Sequence, residues 1–294
     1  LSNINNLKRL KEAMFKSNPS IVIHMAAQPL VRKSYKNPLE TFRTNVIGTA
    51  NVLEAARNID SVEAIINVTT DKCYQNNEHN VPFKENDKLG GFDPYSSSKA
   101  CSELISSAYR SSFFSGSNVQ IATVRAGNVI GGGDWGKERL IPDFFECFFR
   151  DKVLMLRYPN ATRPWQYVLD LVSGYLMLAE KLVKNKGQYS EAWNFGPYKH
   201  EKILSVIEII NYLNLKCEGV KFATENNNEL KESEFLRLDS SKSRERLGWK
   251  NYYNIEQTLD KTFEWYKAWK NKEDVLDVSI AEIKAYEEVL NKNL

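Results

Sequence analysis

The run Asp93–Ile105, DPYSSSKACSELI, sets Tyr95 and Lys99 four residues apart just after a proline. That spacing puts both side chains on one face of a helix, and Pro94 suits a helix's first turn. A phenol has a reference pKa of about 10, but an ammonium group one turn away favours the phenolate, so the pair could draw a proton from an alcohol. Spacing alone does not single it out, because Tyr198/Lys202, Tyr212/Lys216 and Tyr266/Lys270 share it. The setting does: only this pair follows an apolar run ending in Thr69, Thr70, Asp71 and Lys72, which brings hydroxyls, an acid and an amine near a phenol. The plain alternative is that Asp71 caps a loop or pairs with Lys72 while Tyr95 merely packs.

These residues need a scaffold, and 294 residues, 42% hydrophobic and 26% charged, supply one large domain or two modest ones. A formal charge of +3, from 40 basic and 37 acidic residues spread along the chain, offers no basic stripe for nucleic acid. Cys73, Cys101, Cys147 and Cys217 form no C-x-x-C pair and make no metal-ligand spacing with His24, His79 or His200, so no metal is expected. No apolar run approaches the roughly 18 residues of a membrane span, and no signal peptide is visible. The expectation is a cytoplasmic protein with reduced thiols and no membrane or nucleic-acid partner.

The opening segment predicts a helix through Leu7, Leu10 and Met14, then a buried strand over Ile21–Ala27. The pattern repeats: a helix over residues 37–58, the strand VEAIINVTT, a helix from Tyr95 to about Phe114, and the strand VQIATVRAGNVIG. Such alternation argues for a doubly wound α/β fold, a parallel sheet with helices on both faces. Beyond Gly131 loops lengthen, KVLMLRYP is a short strand, and AWNFG could rejoin the sheet. In such sheets ligands sit beyond the strands' carboxyl ends, which marks HMAAQPLVR, TTDKCYQN and RAGNVIGGGDW. Gly131, Gly132 and Gly133 form no G-x-G-x-x-G turn opening a helix. His24, lone in an apolar strand, is expected to be a satisfied core residue.

Taken in order, HMAAQPLVRKSY, NVIGTANVLEAAR, TTDKCY, YSSSK, RAGNVIGGGDW, RLIPD, RPWQYVLD and LDSSKSRERLGW resemble the extended short-chain dehydrogenase/reductase family through nearly the whole chain. The resemblance implies a Rossmann-like domain at 1–130 and 164–198 and a nucleotide-sugar-binding domain at 131–163 and 199–294. It implies NAD as cofactor, with Ala26, Ala27, Gln28, Thr69, Tyr95 and Lys99 along it. Tyr95 would be the base at a sugar 4-hydroxyl, Lys99 would hold the nicotinamide ribose and lower the Tyr95 pKa, and Thr70 would hydrogen-bond the same hydroxyl. Asp71 would protonate a departing 6-hydroxyl and Lys72 would take the C5 proton.

The Asp-Lys-Cys-Tyr run resembles the branch that dehydrates CDP-glucose, where dTDP-glucose enzymes carry Glu in place of Lys72. Asn128, Arg139 and Arg163 match positions expected at the substrate's pyrophosphate and nucleotide. Helices 38–58 and 95–114 match those that pair in homodimers. Alternatives are a dTDP- or UDP-linked dehydratase, a 4-epimerase, or a non-catalytic binding protein that keeps the fold. Two departures stand out: the family's first strand and Gly-rich phosphate turn are expected before Leu1, and Lys231 and Glu234 stand where histidines are expected, although Glu232 and Asp239 match.

Overall fold

The computed structural model describes residues 3–76, 81–198, 203–217, 219–224 and 236–293. His79, His200, Lys202, Lys231, Glu232 and Glu234 lie outside them. In chain order the first elements are α1 (Leu7–Ser17), β1 (Ile21–His24), α2 (Val31–Lys36), α3 (Pro38–Phe42), a π-helical turn at Arg43–Ile47, α4 (Gly48–Ala56) and β2 (Ala64–Val68). A 3-10 turn at Asp71–Cys73 precedes α5 (Pro94–Ser112) and β3 (Gln120–Ala126). Next come β4 (Val129–Ile130), α6 (Leu140–Arg150), β5 (Leu154–Leu156), β6 (Gln166–Tyr167), α7 (Val168–Lys184) and β7 (Ala192–Phe195). The chain ends with α8 (Val206–Asn214), β8 (Phe222–Thr224), a π-helical turn at Ser243–Leu247, α9 (Ile255–Lys270) and α10 (Val275–Asn291).

Two compact units result. The first holds residues 1–126, 173–195 and 238–249, and the second 127–172, 196–237 and 250–294. In the first, β1, β2, β3 and β7 form a parallel sheet in that order, with Ile65 beside Val22 and Ile121. Parallel pairing requires crossovers, and the helices that make them bury one sheet face. Val22, Ile65 and Ile121 meet Leu7, Leu10 and Met14 of α1, Val52, Leu53 and Ala56 of α4 and Ile105 of α5 there.

Two expectations need correction. The first strand ends at His24 rather than Ala27, and it is not buried: Ile21 and Ile23 are 40% and 37% exposed. β1 and β7 are the two border strands of this sheet among the described residues, and the helices packed on it cover the Val22 side of β1. The boundaries between units also differ from those expected. Val129 and Ile130 leave the sheet to pair with Gln166 and Tyr167, which carries 127–130 and 164–172 into the second unit.

Residues 238–249 return to the first unit, where Ser243 donates to the Asn194 carbonyl at 2.8 Å and Lys242 to the Ala192 carbonyl at 2.8 Å. Lys242 also lies over the Trp193 ring, 4.5 Å from its centroid.

The second unit packs Phe144 and Phe145 of α6, Ile209, Ile210 and Leu213 of α8 and Leu259, Phe263 and Tyr266 of α9 into one apolar core. Ser205 with Glu208 and Asn254 with Gln257 close capping boxes that start α8 and α9. The triple glycine has a packing reason, as a Cβ on Gly132 would stand 2.0 Å from Cγ of Trp265. Asp170, fully buried, accepts from the Tyr252 amide at 2.9 Å and the Tyr286 hydroxyl at 2.8 Å, which ties α10 to the turn before α9.

Candidate active site

In the first unit β2 ends at Val68, and the residues beyond it turn inward. Thr69, Thr70 and Asp71 are buried and Lys72 is half-buried. Thr70 caps the 3-10 turn: its hydroxyl donates to Asp71 Oδ1 at 3.0 Å and accepts from the Lys72 amide at 3.3 Å. A sequence of short polar residues forms this turn because their side chains satisfy backbone groups that no strand or helix reaches.

α5 brings in the phenol and the amine. Asp93 caps it by accepting from the Ser96 amide at 3.0 Å, Pro94 opens it, and the Tyr95 amide donates to the Ser34 hydroxyl at 3.1 Å. Tyr95 and Lys99 are both buried, one turn apart. Lys99 Nζ donates to the carbonyl of Val68 at 2.9 Å, which fastens the helix to the end of β2, two residues before Thr70. Burial pushes the Lys99 ammonium down to about 8, against the pull of Glu103 and Cys73. Lys99 thus meets the end of β2 just before Thr69, Thr70, Asp71 and Lys72, with Tyr95 one turn earlier on α5.

At the end of β1, Ala26 is exposed, Ala27 half-buried and Gln28 buried. Asn45 holds that loop: its side chain accepts from the Gln28 amide at 2.8 Å and donates to the Gln28 carbonyl at 3.0 Å and to Ser98 at 2.9 Å. His24 Nε2 sits 3.2 Å from Thr49 Oγ1. Thr49 already donates to the Asn45 carbonyl, so the imidazole is the donor to Thr49, as a satisfied core histidine would be. Burial, and then the Lys99 charge, push His24 down to about 4, so it is neutral at pH 7.

Asn128, Arg139 and Arg163 belong to the second unit. The Asn128 carbonyl accepts from the Gln166 amide at 2.9 Å. Arg139 pairs with Asp134 at 2.9 Å, both groups being more than a third exposed, and Arg163 is buried. In the other Tyr-x-x-x-Lys pairs that can be followed, Lys216 pairs with Asp260, while Tyr266 packs in the core and Lys270 lies 4.1 Å from the Phe148 centroid.

Sequence reasoning missed a buried polar group behind the site. Glu103, one turn beyond Lys99, takes the Arg125 guanidinium in a two-pronged pair at 2.9 and 2.8 Å and accepts from Thr69 and Thr123. Arg125 also donates to the Tyr74 hydroxyl at 2.8 Å, and Tyr74 donates to Asn194 Oδ1 at 2.7 Å. The available signal was an arginine inside the apolar run VQIATVRAG, which a buried strand tolerates only with a partner.

A family model described as GDP-mannose 4,6 dehydratase matches residues 2–262. The chain is 41% identical over 291 residues to the CDP-glucose 4,6-dehydratase of Salmonella typhimurium, covering 97% of this chain and 81% of that protein. Among solved structures it resembles an epimerase from Methanothermobacter thermautotrophicus, with a TM-score of 0.81 at 24% identity over 92% of this chain and 78% of that one. It also resembles a dTDP-glucose 4,6-dehydratase from Bacillus anthracis solved with NAD, with a TM-score of 0.73 at 23% identity over 90% and 78%. At these identities the two structures speak to the fold alone.

Proposed function

Because the chain belongs to the GDP-mannose 4,6 dehydratase family, a family of NAD-dependent nucleotide-sugar hydro-lyases, we propose that it dehydrates CDP-glucose to CDP-4-keto-6-deoxyglucose. The observation that carries this reading is the tie between Lys99 Nζ and the Val68 carbonyl, which holds Tyr95 and Lys99 beside the Thr70–Asp71–Lys72 turn.

The residues present fit the nicotinamide end of NAD: a buried ammonium one turn from a phenol, with small side chains at Ala26 and Ala27. Lys99 and Tyr95 would hold that end, with Ala26, Ala27, Gln28 and Thr69 alongside. A glycine-rich pyrophosphate turn is not among the described residues. When bound, NAD supplies reversible hydride acceptance.

The chain's own groups do the proton work. Tyr95 takes the proton of the sugar 4-hydroxyl, with Lys99 favouring the phenolate and Thr70 steering the hydroxyl. A ketone at C4 acidifies C5, so Lys72 removes the C5 proton while Asp71 protonates the leaving 6-hydroxyl. An epimerase needs no such second acid/base pair. Asn128, Arg139 and Arg163 are the candidates for the substrate's phosphates and nucleotide, because a guanidinium fork suits phosphate oxygens.

The protein works as a cytoplasmic homodimer in this reading. Its support is apolar side chains left in solvent on the helices of the first unit: Leu39 at 81%, Ile47 at 54% and Leu104 at 58% exposure. No helix among the described residues is long and apolar enough to cross a membrane.

The test compares formation of 4-keto-6-deoxy sugar from CDP-, dTDP-, UDP- and GDP-linked substrates with NAD present. Preference for CDP-glucose, lost in Lys72→Ala and Tyr95→Phe, is the expected result. Turnover of a different nucleotide sugar would overturn the substrate, and retained turnover in either variant would overturn the assigned role.

A further inference from the structure

Glu103 has no part in the chemistry above, yet it lies on the same face of α5 as Tyr95 and Lys99, at successive four-residue steps. Its carboxylate is fully enclosed and takes donors on both oxygens: Arg125 on each, Thr69 on one and Thr123 on the other. Side-chain exposures of 4% and 3% make Arg125 and Glu103 a buried ion pair. Such pairs contribute little net stability against an apolar replacement, so their retention asks for another reason.

The contacts supply one. Thr69 immediately precedes the Thr70–Asp71–Lys72 turn, and Tyr74 follows it one residue later, after Cys73. Thr69 is bonded to Glu103, and Tyr74 to Arg125 and Asn194. The Tyr74 ring also stacks on Phe83 at 4.8 Å. Both ends of the turn are therefore clamped to one charge pair.

Resting on the reading of Tyr95 and Lys99 above, we propose that Glu103 is a positioning residue, which with Arg125 clamps the turn carrying Thr70, Asp71 and Lys72 and sets the charge felt by Lys99. Glu103 on α5, Cys73 on the turn and His24 on β1 interact electrostatically with that ammonium, Tyr95 stands one turn before it, and Asp71 acts on Cys73, with Arg125 of β3 paired to Glu103. Cys73 is a neutral thiol, its ionisation pushed well up by burial, and His24 is neutral, so Glu103 is the anion on Lys99's own helix. The Glu103 carboxyl is held below the usual range, its burial outweighed by Arg125, Thr69 and Thr123. Removing its charge lets burial lower Lys99 further.

The experiment follows Lys99 itself by competitive acetylation read by mass spectrometry across pH, alongside the pH dependence of turnover. In Glu103→Gln the labelling midpoint and the alkaline limb of kcat both move down by about one pH unit, while Arg125→Lys, which keeps the charge, moves neither. Tyr74→Phe, which keeps the ring on Phe83, leaves the midpoint in place and lowers kcat about tenfold with KM within about twofold. Because it keeps the Glu103–Arg125 ion pair and the ring, it is the milder change if Glu103→Gln fails to fold.

A purely structural role lowers the melting temperature without shifting the midpoint. An unmoved midpoint in Glu103→Gln, or wild-type kcat in Tyr74→Phe, overturns the proposal. If the parent protein turns over no nucleotide sugar, the assigned reaction falls, whereas the labelling midpoints still decide the role of Glu103.

Discussion

Gly91 offers the sharpest test of how α5, the helix of Tyr95 and Lys99, is placed. A Cβ built there would stand 2.3 Å from the Ser96 carbonyl carbon and from the Ser97 nitrogen. These are backbone atoms in the first turn of α5, next to Tyr95, and the Ser97 hydroxyl already holds the Gly91 carbonyl at 2.7 Å. Ordinary contact begins near 3.4 Å. Gly91→Ala therefore forces the loop and the helix start apart by roughly 1 Å, because no flexible side chain can yield instead.

Overpacking of this kind costs about 1–3 kcal/mol, a fall in melting temperature of about 2–10 °C for a chain of this size. A reacting group displaced by about 1 Å loses roughly a hundredfold in rate. Gly90 is the neighbouring control: its Cβ would be 3.3 Å from Gln75 Cβ, only about 0.1 Å short of ordinary contact, so Gly90→Ala should cost under about 1 kcal/mol. Thermal unfolding and keto-sugar formation measured side by side decide the matter. A Gly91→Ala protein with the parent's melting temperature and kcat within about twofold would refute the reasoning.

Three other outcomes can be checked. His24 has a folded pKa of about 4 against 6.5 unfolded, so below 6.5 the unfolded chain takes up the proton first; stability is fully present above that pH. Up to about 3 kcal/mol is lost as pH falls toward 4, and His24→Gln should flatten that limb in urea titrations. Asp170→Leu, which strands the Tyr252 amide and the Tyr286 hydroxyl, should cost about 2–4 kcal/mol by chemical denaturation, and Asp170→Asn, which keeps an acceptor, clearly less. Leu104→Glu, placing a charge on the exposed face of α5, should convert the proposed dimer to a monomer by light scattering without altering the melting temperature of the separated chain by more than a few degrees.

The parallel sheet was readable because β2 and β3 are apolar runs whose periodicity differs from that of the helices between them. The Thr70–Lys72 turn and the Tyr95/Lys99 pair were readable because each is a short polar motif at a predicted strand end or helix start. What local pattern does not carry is partnership. Ile21 and Ile23 look like core residues, and only the strand order shows one face of β1 in solvent. The return of residues 238–249 to the first unit depends on Ser243 and Lys242 meeting carbonyls of β7, far off in sequence. Glu103 sits four residues after Lys99 in plain view, yet its meaning comes from Arg125, on another element.

The border strand β1 bears on how the sheet can extend. Its outward backbone groups lack a neighbouring strand among the described residues, and Ile21, Ile23 and Met25 line one exposed side with no charge among them. An apolar, uncharged strand border is a place where a further strand, of the same chain or of another molecule, can add.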